Sequence, residues 1–210
     1  PLMLKLAVPA VAAQVINMLY NIVDRIYIGH IPEVGDIALT GVGVTFPIIM
    51  LVSAFAAFAG QGGAPLASIQ LGAGNREKAE KILGNSLTLL LIAAVALTVG
   101  FSVFKEPILY AFGASENTIG YAMDYIGIYL IGTIFVQLAL GLNTFISAQG
   151  KALVAMLSVL IGAVLNICLD PVFIFGLHMG VKGAALATIL SQAVSAAWVV
   201  GFLCSRRSGL

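Results

Sequence analysis

The sequence predicts an all-α integral membrane protein, built as a single bundle of six transmembrane helices. Of its 210 residues, 60% are hydrophobic and only 9% are Asp, Glu, Lys or Arg. Residues 82–104, 125–150 and 183–205 carry no charge, and each stretch is long enough to cross a bilayer as a helix. A water-soluble domain needs a largely polar exterior, so this composition excludes one. We therefore expect the lipid bilayer to be the solvent of this chain.

Six spans are predicted along residues 1–210. The first, at residues 6–28, contains Pro9, which a membrane helix tolerates because its neighbours can satisfy the freed carbonyl group. The second is predicted at residues 39–71, with an interruption at residues 60–65, where the sequence reads Gly-Gln-Gly-Gly-Ala-Pro. The remaining four spans are predicted at residues 82–104, 125–148, 152–175 and 183–204.

Lysine and arginine are distributed unevenly between the two sets of loops. Positive residues favour the cytoplasmic side of a membrane. One side holds Lys5, Arg76, Lys78, Lys81, Lys151, Arg206 and Arg207, and the other holds Arg25, Lys105 and Lys182. This asymmetry predicts a multi-pass protein of the cytoplasmic (plasma) membrane with both termini in the cytoplasm.

The composition and motifs argue against several classes of function. A net charge of +1, with no basic run, argues against a nucleic-acid partner. The glycines at residues 60–63 are not followed by the Lys-Ser/Thr of a phosphate-binding loop, and the two histidines lack metal-ligand spacing. We therefore expect no enzyme activity, no resident metal and no cofactor.

Polar residues are nevertheless aligned along single faces of three predicted spans. The helical period places residues three, four and seven apart on one face. Such residues could simply form hydrogen bonds between helices, and this alternative stays open for the neutral side chains. The aligned residues are Gln14, Asn17, Asn21 and Asp24 on span one, Asn166 and Asp170 on span five, and Thr188 and Gln192 on span six.

Two carboxylates in apolar spans are costly and call for a reason. Asp24 and Asp170 each lie 18 residues from the cytoplasmic start of a span, or about 27 Å along a helix. Thr188 reaches a similar depth from the other side. Oxygen-bearing side chains at one level could hold a proton or a small hard cation. Two simpler alternatives remain: Asp24 marks the wet end of its span beside Arg25, or Asp170 satisfies backbone groups freed by Pro171.

Four stretches of the sequence also resemble the multidrug and toxic compound extrusion (MATE) transporters. Residues 23–29 (Val-Asp-Arg-Ile-Tyr-Ile-Gly) resemble the first-helix signature of that family, and residues 63–75 resemble its second-helix exit. Residues 142–150 are similar to its fourth-helix end. Residues 165–176 (Leu-Asn-Ile-Cys-Leu-Asp-Pro-Val-Phe-Ile-Phe-Gly), which lead into residues 180–185, are the most specific stretch.

The resemblance implies a fold of twelve helices in two six-helix lobes, of which this chain is similar to the N-terminal lobe. It implies exchange of H⁺ or Na⁺ for organic, often cationic, compounds by alternating access. A second six-helix lobe, or a second copy of the chain, is then an expected partner. The ion site of prokaryotic members corresponds to Asp24, Asn166, Asp170 and Thr188, and their helix-one hinge corresponds to Pro9.

Gln14, Asn17, Asn21 and Gln192 are expected to line a cavity for a small organic substrate. Two other functions remain as alternatives. A membrane anchor or assembly module would gain nothing from intramembrane carboxylates. A lipid-precursor flippase of a related superfamily would be expected to carry several basic residues for a pyrophosphate, and these spans contain almost none.

Overall fold

The computed structural model describes residues 2–205 and 208–210, with side chains from Ala7 onward. Within these residues the chain forms α-helices and no β-strand. The helices are α1 (Leu2–Gly29), α2 (Gly35–Val44), α3 (Phe46–Gly72), α4 (Arg76–Ala111), α5 (Ile119–Ile131), α6 (Thr133–Ala148), α7 (Ala152–Pro171) and α8 (Val181–Leu203). A π-helical turn, Val172–Gly176, extends α7. Three of the basic residues that predict the orientation lie outside the described parts of the structure: Arg206, Arg207 and the side chain of Lys5.

Five of these helices are long and apolar enough to cross a bilayer, and a sixth span is obtained when α5 and α6 are taken together. Large apolar side chains point away from the protein, as Met18 (68% exposed) and Phe58 (72% exposed) illustrate. Exposure of so much apolar surface to water would be costly, so lipid must cover it. The all-helical membrane fold is therefore confirmed, while the exact span boundaries remain predictions.

The interruption expected at residues 60–65 is wrong, because α3 runs through them as one continuous helix. Gly60 packs against Gly141 of α6, and Gly63 packs against Ser86 of α4, so closely that a β-carbon would clash. These glycines therefore serve close helix packing. The helical break lies earlier, at Thr45, because Pro47 has no N–H with which to continue the hydrogen bonds of α2.

The fourth predicted span is also not one straight helix. Its two halves, α5 and α6, meet at Gly132 with a bend of 59°. A β-carbon on Gly132 would overlap the side chain of Ile189 on α8, so only glycine allows the bend to approach α8 this closely. The hydroxyl of Thr98 on α4 donates to the carbonyl of Leu130, which satisfies one acceptor beside the break (3.0 Å).

Helix α4 is much longer than its predicted span. Its 36 residues extend about 54 Å, well beyond the hydrocarbon thickness of a bilayer. One end projects as a charged turn with ion pairs between Arg76 and Glu80 and between Lys81 and Glu77, both at 2.7 Å. At the other end the helix continues past Lys105 to Ala111.

Buried apolar residues form two separate clusters, and the buried polar residues of α7 and α8 lie between them. Along α8, Val181 and Ala184 belong to one cluster and Val199 and Leu203 to the other. The buried polar side chains between these positions are Thr188, Ser191 and Ser195 on α8 and Ser158, Asn166 and Asp170 on α7. Helix α1 packs mainly along α7, which places its polar face beside this layer.

Candidate functional site

Four residues predicted from the sequence meet where α1, α7 and α8 adjoin. Asp24 comes from α1, Asn166 and Asp170 come from successive turns of α7, and Thr188 comes from α8. All four are buried: Asp170 is 0%, Asn166 1%, Asp24 8% and Thr188 9% exposed. We call this group the carboxylate cluster.

The amide of Asn166 lies at the centre of the carboxylate cluster. Its Nδ2 donates to Oδ1 of Asp170 at 3.3 Å and to Oγ1 of Thr188 at 3.5 Å. The four-residue spacing of Asn166 and Asp170 brings both onto one face of α7. The amide therefore ties α7 to α8 and orients one of the two carboxyl groups.

Asp24 and Asp170 lie close enough to each other across the contact between α1 and α7 for their charges to interact. Two ionised carboxylates can only accept hydrogen bonds, so a proton must be present on one of them before the pair can bond to each other. Oδ1 of Asp24, Oδ2 of Asp170 and Oδ1 of Asn166 are buried without a hydrogen-bond partner. Three such oxygens in one place fit a proton or a hard cation such as Na⁺, both of which prefer oxygen ligands.

The structure decides against the two simpler explanations of the carboxylates. Asp24 does not mark a wet helix end, since its side chain is buried while its neighbour Arg25 is exposed. Asp170 does not serve the backbone freed by Pro171, because one oxygen accepts from Asn166 and the other has no partner. Both acids face one another across the α1–α7 contact.

Three tyrosines that the sequence analysis missed border the carboxylate cluster. Tyr20, Tyr125 and Tyr129 line the same cavity as Asp24 and Thr188. The rings of Tyr125 and Tyr129 stack with their centroids 6.3 Å apart. For Tyr20 the sequence did contain an indication, because Tyr20 precedes Asp24 by four residues and therefore lies on the same helix face.

A cavity of about 470 Å³ opens beside the cluster, a size typical of small-molecule sites. Three of the four residues expected to line a substrate cavity do so: Asn17, Asn21 and Gln192. Gln14 instead lines an adjacent groove of about 350 Å³ nearer the start of α1.

Pro9 lies in the same groove as Gln14, as a buried residue inside the continuous helix α1. Its role as a hinge stays a prediction. No group of three or more His, Cys, Asp or Glu residues with the geometry of a metal site occurs within residues 2–205 and 208–210.

Comparison with known proteins supports the resemblance that the sequence suggested. The profile of the MatE family matches residues 9–172. The multidrug export protein MepA of Staphylococcus haemolyticus is 29% identical over 208 residues, which are 99% of this chain and 46% of that protein. The probable multidrug resistance protein NorM of Thermotoga maritima is 30% identical, over 92% of this chain and 42% of that protein.

Another relative is named FAD transporter in Shewanella oneidensis and is 27% identical, over 84% of this chain and 39% of that protein. The relatives and the family are thus transporters and not enzymes. The chain spans about half the length of the relatives that it matches.

Solved structures agree at the level of the fold. An outward-facing multidrug resistance MATE family transporter superposes with a TM-score of 0.91 and 30% identity, over 100% of this chain and 46% of that one. A MATE structure in a bent conformation and one in a straight conformation each give a TM-score of 0.90, over 98% of this chain. The family profile covers most of the chain, and the fold matches along its whole length. The chain therefore belongs to the MATE family of multi-pass membrane transporters.

Proposed function

We propose that this chain forms one lobe of a secondary active antiporter, which exports organic and often cationic compounds in exchange for H⁺ or Na⁺. The observation that carries the proposal is the carboxylate cluster, in which Asp24 and Asp170 meet beside Asn166 and Thr188. A static helical bundle gains nothing from two buried carboxyl groups with unpartnered oxygens.

The coupling ion acts by changing the charge of the carboxylate cluster. Without it, two ionised carboxylates repel each other in a site of low dielectric, and an organic cation in the cavity compensates their charge. A proton or Na⁺ bound between them removes this attraction, so the substrate and the ion exclude each other. Mutual exclusion of this kind is what antiport requires.

Helix α1 is the element that responds to the ion. It supplies Asp24 to the cluster and Asn17 and Asn21 to the cavity. It packs along α7 and touches α8 only slightly, and only 11% of its most apolar stretch is buried. Its movement is therefore opposed mainly by the contact with α7, and Pro9 supplies a position at which the helix can bend. Such a movement would narrow the cavity as the ion binds.

Alternating access requires two bundles that move against each other. We therefore propose a second six-helix lobe, or a second copy of this chain, as the partner that completes the central cavity. Both termini lie in the cytoplasm in this arrangement, as the distribution of Lys and Arg residues indicates.

Charge-neutral substitutions in the cluster test the proposal. Vesicles containing this chain together with its proposed partner lobe are loaded with an organic cation. Efflux is then measured under separate H⁺ and Na⁺ gradients. Asp24→Asn and Asp170→Asn should each abolish gradient-driven efflux while the protein stays folded, because a neutral amide costs less to bury than a charge. Asp36→Asn, at an exposed position on α2, is the matched control and should keep full efflux.

Full efflux in both cluster variants would refute the proposed role of the carboxylates. Absence of efflux for every ion gradient would favour a non-transporting anchor. Movement of a lipid pyrophosphate instead of organic cations would favour the flippase alternative, although Arg25 is the only basic residue that lines the main cavity within the described parts of the chain.

A further inference from the structure

Arg25 contributes a positive charge to the wall of the main cavity, next to a negative charge that the coupling mechanism already uses. Consecutive residues on a helix point about 100° apart. Asp24 accordingly points into the carboxylate cluster, whereas the exposed side chain of Arg25 crosses to α3. There its guanidinium carbon lies 5.3 Å from the ring centre of Phe46. Both residues line the same cavity of about 470 Å³.

The guanidinium of Arg25 has no carboxylate partner within 4.0 Å among the described residues. Other cations of the chain do: Lys182 pairs with Asp124 at 3.4 Å, and Arg76 pairs with Glu80. The cation–π contact with Phe46 supplies no hydrogen-bond acceptor, so the N–H groups of the guanidinium stay available for another partner. Those N–H groups are suited to a bidentate bond with a carboxylate or another acid group.

The rest of the cavity favours a flat aromatic compound. Tyr20, Phe46, Tyr125 and Tyr129 all line it, and the amides of Asn17, Asn21 and Gln192 supply uncharged hydrogen-bonding groups. Aromatic walls bind flat rings by stacking and apolar contact. A ligand that satisfies every part of this surface carries an amine for Asp24, an acid group for Arg25 and an aromatic body between them.

We propose that Arg25 is a specificity-determining residue, which makes the cavity select aromatic compounds bearing both a positive charge and an acid group over matched compounds bearing the positive charge alone. This inference rests on the proposed function, since it assigns the substrate class of that transporter. The inference agrees with antiport, because an ion bound at Asp24 still removes the contact between Asp24 and the positive charge of the ligand. The acid group then holds the ligand only through Arg25.

A matched pair of dyes tests the selectivity without any ion gradient. Rhodamine 110 carries a carboxylate beside its cationic ring system, and its methyl ester carries the cation alone. Binding of each dye to this chain assembled with its partner lobe in nanodiscs is measured by titration calorimetry. The unsubstituted chain should bind rhodamine 110 more tightly than the ester. Arg25→Gln should lower the affinity for rhodamine 110 by about tenfold, which is the effect expected when a charged hydrogen bond is lost. The affinity for the ester should stay unchanged or rise slightly.

Two further variants separate charge from structure. Arg25→Lys keeps the charge and should retain part of the preference, although it loses the bidentate geometry. Lys78→Gln removes an exposed positive charge at the far end of α4 and should change the binding of neither dye. Thermal unfolding of each variant shows whether the fold is intact.

Equal affinities of the unsubstituted chain for the two dyes, or equal losses for both dyes in Arg25→Gln, would overturn the inference. Absence of binding for both dyes would overturn it as well. None of these results tests the proposed antiport. That proposal is tested separately by ion-driven efflux in the Asp24 and Asp170 variants.

Discussion

Asn166 holds the carboxylate cluster together through a single side chain. Its amide contacts both Asp170 and Thr188, and its own carbonyl oxygen remains without a partner. An asparagine at this position can bridge α7 and α8 and still offer an oxygen ligand. The residue therefore contributes both to the stability of the helix contact and to the chemistry of the site.

The substitution Asn166→Ala separates these two contributions. We expect stability to fall by about 1 kcal/mol, as is usual for a lost side-chain hydrogen bond between membrane helices. We also expect the loss of the rise in melting temperature that H⁺ or Na⁺ produces by binding the folded state. Thermal unfolding across a range of H⁺ and Na⁺ concentrations measures both effects.

Asn143→Ala is the matched control for this experiment. Asn143 donates to the carbonyl of Ala155 at 3.3 Å and accepts from Ser158, so its removal costs comparable hydrogen bonds away from the carboxylates. The control should lose stability but keep ion-dependent stabilisation. An Asn166→Ala variant that is still stabilised by the ion would show that the amide is not a part of the ion site.

At the scale of single elements, the bend at Gly132 depends on the absence of a side chain. Gly132→Ala forces a β-carbon against Ile189, so the contact between the bend and α8 must open. We expect a loss of about 1–3 kcal/mol, the usual cost of overpacking a core. Unfolding in a denaturing detergent measures the free energy of each variant.

Gly100→Ala provides the comparison, because nothing lies within 4 Å of the β-carbon that it adds to α4. It should stabilise the helix by about 0.5–1 kcal/mol, since glycine is the weaker helix former. A similar change in both variants would mean that the close approach at Gly132 does not stabilise the fold.

These elements also show how far the sequence predicts the structure. The helices and their polar faces follow from hydropathy and from the helical period, which depend only on local residues. The bend at Gly132 and the continuity of α3 through residues 60–65 depend on which neighbouring helix a glycine touches. Such contacts are tertiary, so the composition of one segment cannot distinguish a glycine that breaks a helix from one that lets two helices approach.

The carboxylate cluster could be predicted from the sequence because its acidic residues stand out in apolar spans. Charged groups are rare in membrane spans, so Asp24 and Asp170 are conspicuous, and counting residues gives their depth. The tyrosines beside them were not predictable in the same way, because tyrosine is common in apolar helices and at membrane interfaces. Only the packing of α5 against α8 brings Tyr125 to the cavity that Thr188 also lines.

At the scale of the whole molecule, the orientation in the membrane remains a prediction with a direct test. Asn75 lies between α3 and α4, Asn117 lies between α4 and α5, and both are exposed. With Cys168 and Cys204 replaced by serine, a cysteine at position 75 should react with an impermeant reagent only from the cytoplasmic side. A cysteine at position 117 should react only from outside. Reaction of both from the same side would contradict the proposed topology.

The central claim is that Asp24 and Asp170 together bind the coupling ion. The most direct test is infrared spectroscopy of the purified chain, with the carboxyl bands followed while H⁺ or Na⁺ is added. We predict that one of the two ions changes a carboxyl band, and that Asp24→Asn and Asp170→Asn each remove this change whereas Asp36→Asn does not. An unchanged response to both ions in the two cluster variants would contradict the claim.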